Sequence, residues 1–533
     1  MRWTRMIAAV VTGMLILSAC GKAPAPQTLH EEVLRRGNTA DPDTLDPQKT
    51  STQWESNILN DMFEGLMAMD AKANVIHGAA ESHTVSPDGL VWIFKLRQGT
   101  WSDGVPLTAE DFVFSFRRIL DPKTAAKYAS LVYPIKNARA VNEGRRPLEA
   151  VGVKAIDPRT LEITLEQPTP YLPQLLTHIT CQPVPRHVIE KAGDAWIKPG
   201  TMVTNGPYVL AEWIPNASIT VVKNPHYHDA ANVGIEEVVY YPISDESVEL
   251  KRYRAGEIDY TASLPARALA DLRKEFGSEV HVHPVFYSHY ILFNVRKAPF
   301  DDVRVREALS LAIDRETIAS KVLNAGQIPA DSFVPPEIAN YAERGKLQFS
   351  GEPLEERRKR AIALLAQAGF GAAHPLKLTY RYREGLDQRR IAVAVQDLWK
   401  SIGVQAELLN SEGRVHFNAL RTQDYDVAHA NWIADYNDAE NFLFLFQSSA
   451  GQMNYTKFSN AQYDDLMRRA SVTMDLGARA GVLRQAEQMM LDAHPIAPLF
   501  FDASRRLVRR SIAGYEDNVL DYHLSRYMRV GRS

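Results

Sequence analysis

Strand-like and helix-like segments alternate along nearly the whole 533-residue chain. Between Val91 and Leu96, Trp92, Phe94 and Leu96 take every second position, as in a strand with one buried face. The same alternation occurs at Leu161, Ile163 and Leu165, and at Ile219 and Val221. Interleaved strands and helices over this length predict an α/β fold with several sheets.

Three amphipathic helices are predicted between the strands. Thr108 and Asp111 are spaced as a capping box at the start of the first helix, and Pro122 ends it. The second follows Asp301 and Asp302, and the third covers residues 355–367. The residues predicted to be buried are Phe112, Phe116, Ile119 and Leu120 in the first helix, Val305, Ala308, Leu309, Ala312 and Ile313 in the second, and Ile362, Leu364 and Leu365 in the third.

Length and composition exclude several classes of protein. At roughly 100–200 residues per domain, the chain has room for two to four domains. The net charge of −3 gives no broad basic surface, so we expect no nucleic-acid partner. Two cysteines, Cys20 and Cys181, provide neither a disulfide framework nor a four-cysteine metal site. After the N-terminal segment, no run reaches the roughly 18 apolar residues of a membrane span.

The first 19 residues have the pattern of a signal peptide. Arg2 and Arg5 precede an apolar stretch from Met6 to Leu17, which is too short to span a bilayer. It ends in Leu-Ser-Ala-Cys, which resembles the lipoprotein box, with Cys20 as the lipidated residue. An ordinary secretory signal cut near Ala19 is the alternative. We expect residues 20–27 to form a tether, so that the mature chain lies outside the cytoplasm and contacts the membrane by the lipid anchor only.

No enzyme motif is found, and we expect no catalytic residue, metal or cofactor. There is no His-Glu-x-x-His, Gly-x-Ser-x-Gly or phosphate-binding loop. The pairs His281/His283 and His226/His228 could each provide half a metal site, although solvated side chains are the commoner outcome. Asp301-Asp302 could be paired catalytic carboxylates, but a helix N-cap is the more ordinary role. The basic run at 357–360 fits a solvated helix face better than a nucleic-acid patch.

Five segments, in order, resemble the oligopeptide-binding proteins of bacterial ABC importers (solute-binding protein family 5). The resemblance covers the chain from about residue 28 to its C-terminus. The segments are Thr44-Leu45-Asp46-Pro47, Trp101-Ser102-Asp103-Gly104 with Thr108 to Val113, Asn205-Gly206-Pro207-Tyr208, Pro299 to Leu309, and Ala434-Asp435-Tyr436-Asn437.

The resemblance implies a type II periplasmic-binding-protein fold, with two lobes, a hinge and an extra domain. Domain I is discontinuous, and the implied ranges are 28–67, 190–286 and 503–533 for domain I, 68–189 for domain II and 287–502 for domain III. The lobes close on the ligand by a hinge motion. The implied partners of this monomeric protein are short peptides and the permease and ATPase of an ABC importer.

The resemblance also implies binding residues. Asp435 corresponds to an aspartate that binds the α-ammonium group of the peptide, and Trp432 corresponds to the wall of a side-chain pocket. Glu55 aligns with a carboxylate of the cleft. The alternatives are that Asp435 caps a turn at Asn437, that Trp432 belongs to the core, and that Glu55 is an ordinary surface residue. The predicted ligand-binding set is Asp435, Trp432, His429, Asn431, Ile433, Gln388 and Glu55.

The departures from the family concern the end of the cleft that receives the peptide carboxylate. An arginine of the relatives is replaced by His429, and a histidine by Gln388. Arg381, Arg383, Arg389 or Arg414 could supply the missing positive charge. The cysteines of a family disulfide align with Tyr287 and Ile433, so that bridge is absent.

Three alternatives to peptide import remain open. The receptor could bind a murein peptide, a dipeptide or a non-peptide ligand, which the changes at His429 and Gln388 favour. A secreted hydrolase lacks a recognisable motif. A surface protein that senses peptides or binds unfolded chains would use the same cleft, and neighbouring permease genes would instead favour import.

Overall fold

The computed structural model describes residues 33–531. The predicted signal peptide 1–19, the tether 20–27 and Cys20 lie outside the described residues. Within the described range, the helices are all too short or too polar to cross a bilayer. Cys181 is buried, and burial raises the pKa of its thiol to about 12.

Residues 33–531 form eighteen strands. They are β1 Val33–Gly37, β2 Met67–Met69, β3 Val75–His77, β4 Ala80–Val85, β5 Val91–Leu96, β6 Val153–Asp157, β7 Thr160–Thr164, β8 Tyr208–Ile214, β9 Ser218–Lys223, β10 Glu237–Tyr241, β11 Val280–Phe293, β12 Ile328–Pro329, β13 Lys377–Arg383, β14 Gln405–Ser411, β15 Val427–Ile433, β16 Ile496–Leu507, β17 Ile512–Ala513 and β18 Arg529–Val530.

The same range contains fifteen α-helices, besides short 3₁₀ and π turns. They are α1 Gln53–Met62, α2 Ala109–Leu120, α3 Ala138–Asn142, α4 Leu172–Leu175, α5 Arg186–Ala192, α6 Glu246–Arg254, α7 Leu269–Phe276, α8 Val303–Leu311, α9 Arg315–Thr317, α10 Leu354–Gln367, α11 Leu386–Lys400, α12 Gly413–Thr422, α13 Glu440–Leu443, α14 Ala461–Val472 and α15 Leu476–Ala493.

Three sheets dominate the architecture. One has the order β1-β10-β9-β8, the second β4-β5-β7-β6, and the third β12-β16-β11-β15-β13-β14. In the third sheet, β13, β14 and β15 run parallel, so their carboxyl ends meet at one edge. Strands β11 and β15 pair antiparallel, with Tyr287 opposite Ile433.

A large buried apolar cluster accompanies each of these sheets. The cluster at the first sheet combines Leu34 with residues as distant as Met528, so this part of the fold is discontinuous in sequence. The cluster at the second sheet draws on residues 66–181 and on Tyr436. The third, the most extensive, spans residues 286–519. Tyr436 stacks on Tyr171 at a ring-centroid distance of 5.5 Å, so the second and third clusters are in contact.

The predicted elements are largely confirmed. Strand β5 buries Trp92, Phe94 and Leu96, and α2 has the predicted capping box, in which Thr108 N–H donates to Asp111 Oδ2 at 2.8 Å. The predicted buried faces of α2 and α8 are buried.

One prediction for the third helix is wrong: Ile362 was expected to be buried. Ile362 in α10 is 49% exposed. The buried face of this helix is centred on Ala361 and Leu365, which are four positions apart and therefore lie one above the other. Ile362 is rotated by about 100° from Ala361, and that rotation moves it out of the core.

Candidate functional site

The turn after β15 holds Asp435 beside Trp432. Asn441, in helix α13, fixes this turn through its side-chain oxygen. That Oδ1 atom accepts the indole N–H of Trp432 and the backbone N–H of Asp435, both at 3.1 Å. A single amide group therefore sets the relative positions of the two residues.

The carboxylate of Asp435 is largely buried and lacks a charged partner. Burial raises the pKa of Asp435 from 3.8 to about 6. A hydrogen bond with Asn441 opposes this shift. Among residues 33–531, no lysine, arginine or histidine forms an ion pair with it. A buried carboxylate without a cation is costly, so the site would be stabilised by a bound cation.

A small cavity of about 10 Å³ adjoins Asp435, and this volume holds about one water molecule. An ammonium group has a similar size. Burial lowers the pKa of His178, in the cavity wall, to about 4, so this imidazole is neutral. The remaining lining residues are all uncharged, and Asp435 gives the cavity its negative charge. They are Asn60, Met69, Thr177, Ile179, Leu520 and Tyr522.

Two tyrosines near Asp435 were not predicted from the sequence. Burial raises the pKa of Tyr128, and the charge of Asp435 raises it further. Burial also raises the pKa of Tyr522 to about 12, with the Asp435 charge adding to the effect. Both residues are remote from Asp435 in sequence, and no local pattern marks them. Only the assembled fold brings them to the carboxylate.

Trp432 is partly exposed at the surface of the third sheet. Its ring meets Phe444 edge-on, with the centroids 5.6 Å apart, and it packs against the large cluster of that sheet. One part of the indole is therefore core, and the rest is accessible to solvent.

His429 lies beneath the surface in a group of buried polar residues. Its Nε2 is 3.3 Å from Nδ1 of His289, whose Nε2 is 3.6 Å from Oδ2 of Asp502. Burial, reinforced by His289, His416 and Arg383, holds the pKa of His429 well below its ordinary range. His429 is therefore neutral at pH 7 and offers no charge to a carboxylate.

The other members of the predicted ligand-binding set in this region lie near the carboxyl edge of the third sheet. Ile433 ends β15 and is 57% exposed, whereas Asn431 is partly buried opposite His289. Gln388 lies in the first turn of α11, shortly after Arg383, which ends β13. Strands β13 and β15 are parallel, so these residues share one edge.

Arg383 differs from the other basic residues considered for this edge. Arg381 contacts Asp424 at 3.7 Å and donates to Ser411 at 2.8 Å. Arg389 and Arg414 are both exposed, and they lie in helices α11 and α12. Within residues 33–531, Arg383 forms no ion pair, and its charge acts on the pKa values of both His429 and Tyr287.

Glu55 is fully buried and organises the loop before α1. Its carboxylate accepts bonds from Asp43 N, Thr44 N, Thr50 Oγ1, Ser51 N and Thr52 N, at 2.6–3.2 Å. Burial tends to raise the pKa of Glu55, but these hydrogen bonds hold it below its ordinary value. In this structure the Glu55 carboxylate stabilises the loop and does not line a cavity.

Three histidines of the two pairs contact protein groups, and the fourth, His226, is exposed. His281 Nδ1 lies 2.9 Å from Asp517 Oδ2, and His228 Nε2 lies 2.6 Å from Glu64 Oε2. His283 Nδ1 contacts the adjacent backbone oxygen of Pro284 at 2.7 Å. In the part of the chain that the structure describes, no group of three or more His, Cys, Asp or Glu side chains is arranged to hold a metal.

The two other charged motifs have structural roles. Asp302 caps α8 as expected, because its side chain accepts from Arg304 N at 2.9 Å. In the basic run, Arg357 donates to the backbone oxygens of Leu311 and Ile313 at 2.9 and 2.8 Å and so ties α10 to the end of α8. The run is therefore only partly a solvated face.

An α/β fold with a charged cavity between distant chain segments is the arrangement expected of a ligand-binding protein of the periplasmic type. The chain belongs to the bacterial extracellular solute-binding proteins, family 5. The model of this family, described as its "Middle" region, matches residues 74–454. The family resemblance inferred from the sequence is confirmed.

Relatives match over nearly the whole chain. The periplasmic oligopeptide-binding protein OppA of Escherichia coli K12 is 39% identical over 96% of this chain and 94% of its own. The probable deoxycholate-binding periplasmic protein YgiS of the same organism is 39% identical, over 94% of each chain. The unliganded open form of the periplasmic murein tripeptide binding protein MppA has a TM-score of 0.85 at 36% identity, covering 94% of this chain and 98% of its own. These matches confirm the predicted fold.

Proposed function

We propose that this protein is the substrate-binding component of an ABC importer, which captures short peptides outside the cytoplasm and delivers them to the permease. The observation that carries the proposal is the carboxylate of Asp435. It is largely buried, has no ion-pair partner among residues 33–531, and faces a cavity the size of one water molecule. A peptide α-ammonium would fit this cavity and neutralise the carboxylate.

Recognition of the peptide amino terminus follows from charge and geometry. The ammonium donates charge-assisted hydrogen bonds to Asp435, which are roughly twice as strong as neutral ones. Tyr128 and Tyr522, which respond to the Asp435 charge, lie close enough to complete this end of the site. The accessible part of Trp432 would wall the first side-chain pocket, and the peptide backbone would pair with exposed main chain near Asn431 and Ile433.

The carboxylate end of the peptide must bind a different residue here, because His429 replaces the arginine of the relatives. His429 is buried and neutral, so we assign this role to Arg383, which has no ion pair in the described structure. Gln388 would add a neutral hydrogen bond from the start of α11. Glu55 is not included in the proposed site, because five donors within its own loop already occupy its carboxylate.

We propose that the lobes follow the three domains expected from the resemblance. Domain I comprises 28–67, 190–286 and 503–533, domain II comprises 68–189, and domain III comprises 287–502. The separate buried clusters of the three sheets support this division. Strands β11 and β16, which pair along most of their length, would form the two crossings of the hinge.

We further propose that the mature protein is a monomer held on a membrane by acyl chains on Cys20 after removal of residues 1–19. The support is the Leu-Ser-Ala-Cys sequence after a short apolar stretch. Each buried CH₂ contributes about 0.8 kcal/mol, so two or three chains give stable attachment. In cell fractionation, Cys20→Ser should move the protein from the membrane to the soluble fraction. A variant that stays membrane-bound would contradict the lipid anchor.

The ligand itself is tested by purifying the acyl-free mature protein, denaturing it, and identifying released molecules by mass spectrometry. We expect a mixture of short peptides with free amino termini. A protein with Asp435→Asn, purified in parallel, should release far less peptide. Peptides with blocked amino termini, recovered equally from both proteins, would overturn the assignment of Asp435.

A second candidate is a receptor for a murein peptide or a non-peptide ligand. The specific observation in its favour is the neutral, buried state of His429 together with Gln388, which leaves Arg383 as the one cation assigned to the far end. Among the similar proteins are one described as murein tripeptide binding and one as probably deoxycholate-binding. Release of one defined species, either a peptide containing D-amino acids or a non-peptide, would favour this candidate.

A further inference from the structure

Two histidines outside the proposed peptide site lie in direct contact. His77 ends β3, His83 lies in β4, and residues 78–79 link the two strands. Nε2 of His77 is 3.0 Å from Nδ1 of His83, with the ring centroids 5.1 Å apart. Both side chains are partly exposed, and neither lines the cavity at Asp435. A small solute can therefore reach the pair without entering the peptide site.

His83 is held against the indole of Trp92. It is opposite Phe94 of β5 and diagonal to Trp92, so the three side chains share one face of the second sheet. The His83 ring is stacked on Trp92, with the centroids 5.4 Å apart, and Trp92 is only 3% exposed. Burial, reinforced by the nearby His77, lowers the pKa of His83. The imidazole is therefore neutral at pH 7, the form in which histidine binds a metal ion.

Met67 adds a sulfur atom on the same side as His77. Strands β2 and β3 pair antiparallel, and Met67 is directly opposite His77. Such cross-strand neighbours project from the same face, with their Cβ atoms about 4.5–5.5 Å apart. Met67 is buried and belongs to the same apolar cluster as Trp92. Its unbranched side chain has three rotatable bonds, so the thioether can turn towards the two imidazoles.

We propose that His77, His83 and Met67 form a site for a single Cu(I) ion, a function separate from peptide binding. Thioether sulfur selects soft ions such as Cu(I), and imidazole also binds copper. Within residues 33–531, no aspartate, glutamate or cysteine side chain joins the two histidines to make a set of three metal ligands. Calcium and magnesium require oxygen ligands, so the donor set selects against them.

The two imidazoles need only a small movement to admit the ion. Bonds from imidazole to zinc are about 2.0–2.1 Å long, and two bonds of that length at about 109–120° hold their nitrogens about 3.3–3.6 Å apart. The facing nitrogens are 3.0 Å apart, so a slight rotation of either ring is sufficient. One of these nitrogens carries the proton of the present contact. When the ion binds, that proton moves to the other nitrogen of the same ring, and both lone pairs then face the ion.

Anaerobic competition with bicinchoninate, which forms a coloured complex with Cu(I), tests the proposal. The acyl-free mature protein should bind one Cu(I) ion per molecule. His77→Gln, His83→Gln and Met67→Leu should each weaken Cu(I) binding by more than the roughly 10–100-fold caused by loss of an outer-shell partner. Met67→Leu removes the sulfur and nearly conserves the volume of the side chain. Cu(I) should also change the tryptophan fluorescence, and Trp92→Phe should abolish that change, because Trp92 is stacked on His83.

The control is His374→Gln, which removes an exposed histidine far along the chain from the site. It should keep the wild-type affinity for Cu(I). All the variants should bind trialanine as the wild-type protein does, which shows that they are folded. Failure of the wild-type protein to bind Cu(I), tighter binding of Zn²⁺ than of Cu(I), or an unchanged Cu(I) affinity in any of the three ligand variants would overturn the site and leave peptide binding standing.

Discussion

Replacing Asp435 by asparagine should stabilise the protein and weaken peptide binding at the same time. Burial raises the pKa of this carboxyl from 3.8 to about 6. At about 1.36 kcal/mol per pH unit, the difference corresponds to about 3 kcal/mol of folding free energy lost at pH 7. Asparagine keeps the shape of the side chain and removes the charge, so Asp435→Asn recovers much of that loss.

The sign of the pH dependence follows from the direction of the shift. The folded protein holds the Asp435 proton more tightly than the unfolded chain does. The destabilisation is therefore absent below about pH 4, grows as the pH rises towards 6, and is complete above it. Urea unfolding should show Asp435→Asn to be more stable than wild type at pH 7, with a much smaller difference at pH 4.

The same variant should lose peptide affinity. Removing one partner of a buried ion pair typically costs about 3–5 kcal/mol, which corresponds to a loss of about 100-fold or more at pH 7. Asp397→Asn is a matched control, because this aspartate is exposed in α11 and forms no ion pair within residues 33–531. If Asp435→Asn were no more stable than wild type at pH 7, or if its advantage did not change with pH, the burial argument would be refuted. If Asp435→Asn bound peptide with wild-type affinity, Asp435 would not be part of the binding site.

Three further predictions concern the frame of the site. Asp438→Ala should cost about 3–5 kcal/mol in chemical denaturation, because it leaves the buried Arg479, which it bonds at 2.7 and 2.8 Å, without a partner. Glu64→Gln should destabilise the protein at pH 7. Burial opposes the ionised form, but His228 and a neighbouring arginine hold the pKa of Glu64 at about 2, so its stabilisation is lost as the pH falls from 4.5 towards 2. Thr108→Ala should lower stability by about 1 kcal/mol through loss of the capping box of α2.

Each of these predictions has a result that contradicts it. Unchanged stability of Asp438→Ala would mean that water enters and solvates Arg479. A stability difference for Glu64→Gln that persists at pH 2 would show that packing, and not charge, explains its effect. For Thr108→Ser, which keeps the capping hydroxyl, we expect near wild-type stability, and a loss equal to that of Thr108→Ala would exclude capping as the cause.

Local patterns predicted the elements well where one face of a segment is buried. The alternation around Phe94 and the capping box at Thr108 are properties of neighbouring residues, so the sequence carries them directly. The prediction for Ile362 was wrong because the apolar residues of α10 do not all lie on its buried face. Ile362 is next to Ala361 in sequence, but it points away from the core. The discontinuous first sheet was expected only from the family resemblance, because no local rule pairs residues hundreds of positions apart.

The site was harder to predict, because its chemistry depends on burial and on distant contacts. Sequence alone could not show that Glu55 is enclosed by its own loop, or that His289 and Asp502 lie beside His429. Tyr128, His178 and Tyr522 carry no motif, and they reach Asp435 only through packing of the sheets.

The central claim is that Asp435 binds the free amino terminus of a short peptide. The most direct measurement compares titration of ligand-free protein with trialanine and with N-acetyl-trialanine at pH 7. Acetylation removes the ammonium charge and leaves the rest of the peptide unchanged. We predict that trialanine binds and that acetylation lowers its affinity by about 100-fold or more. Equal affinities for the two peptides would contradict the account.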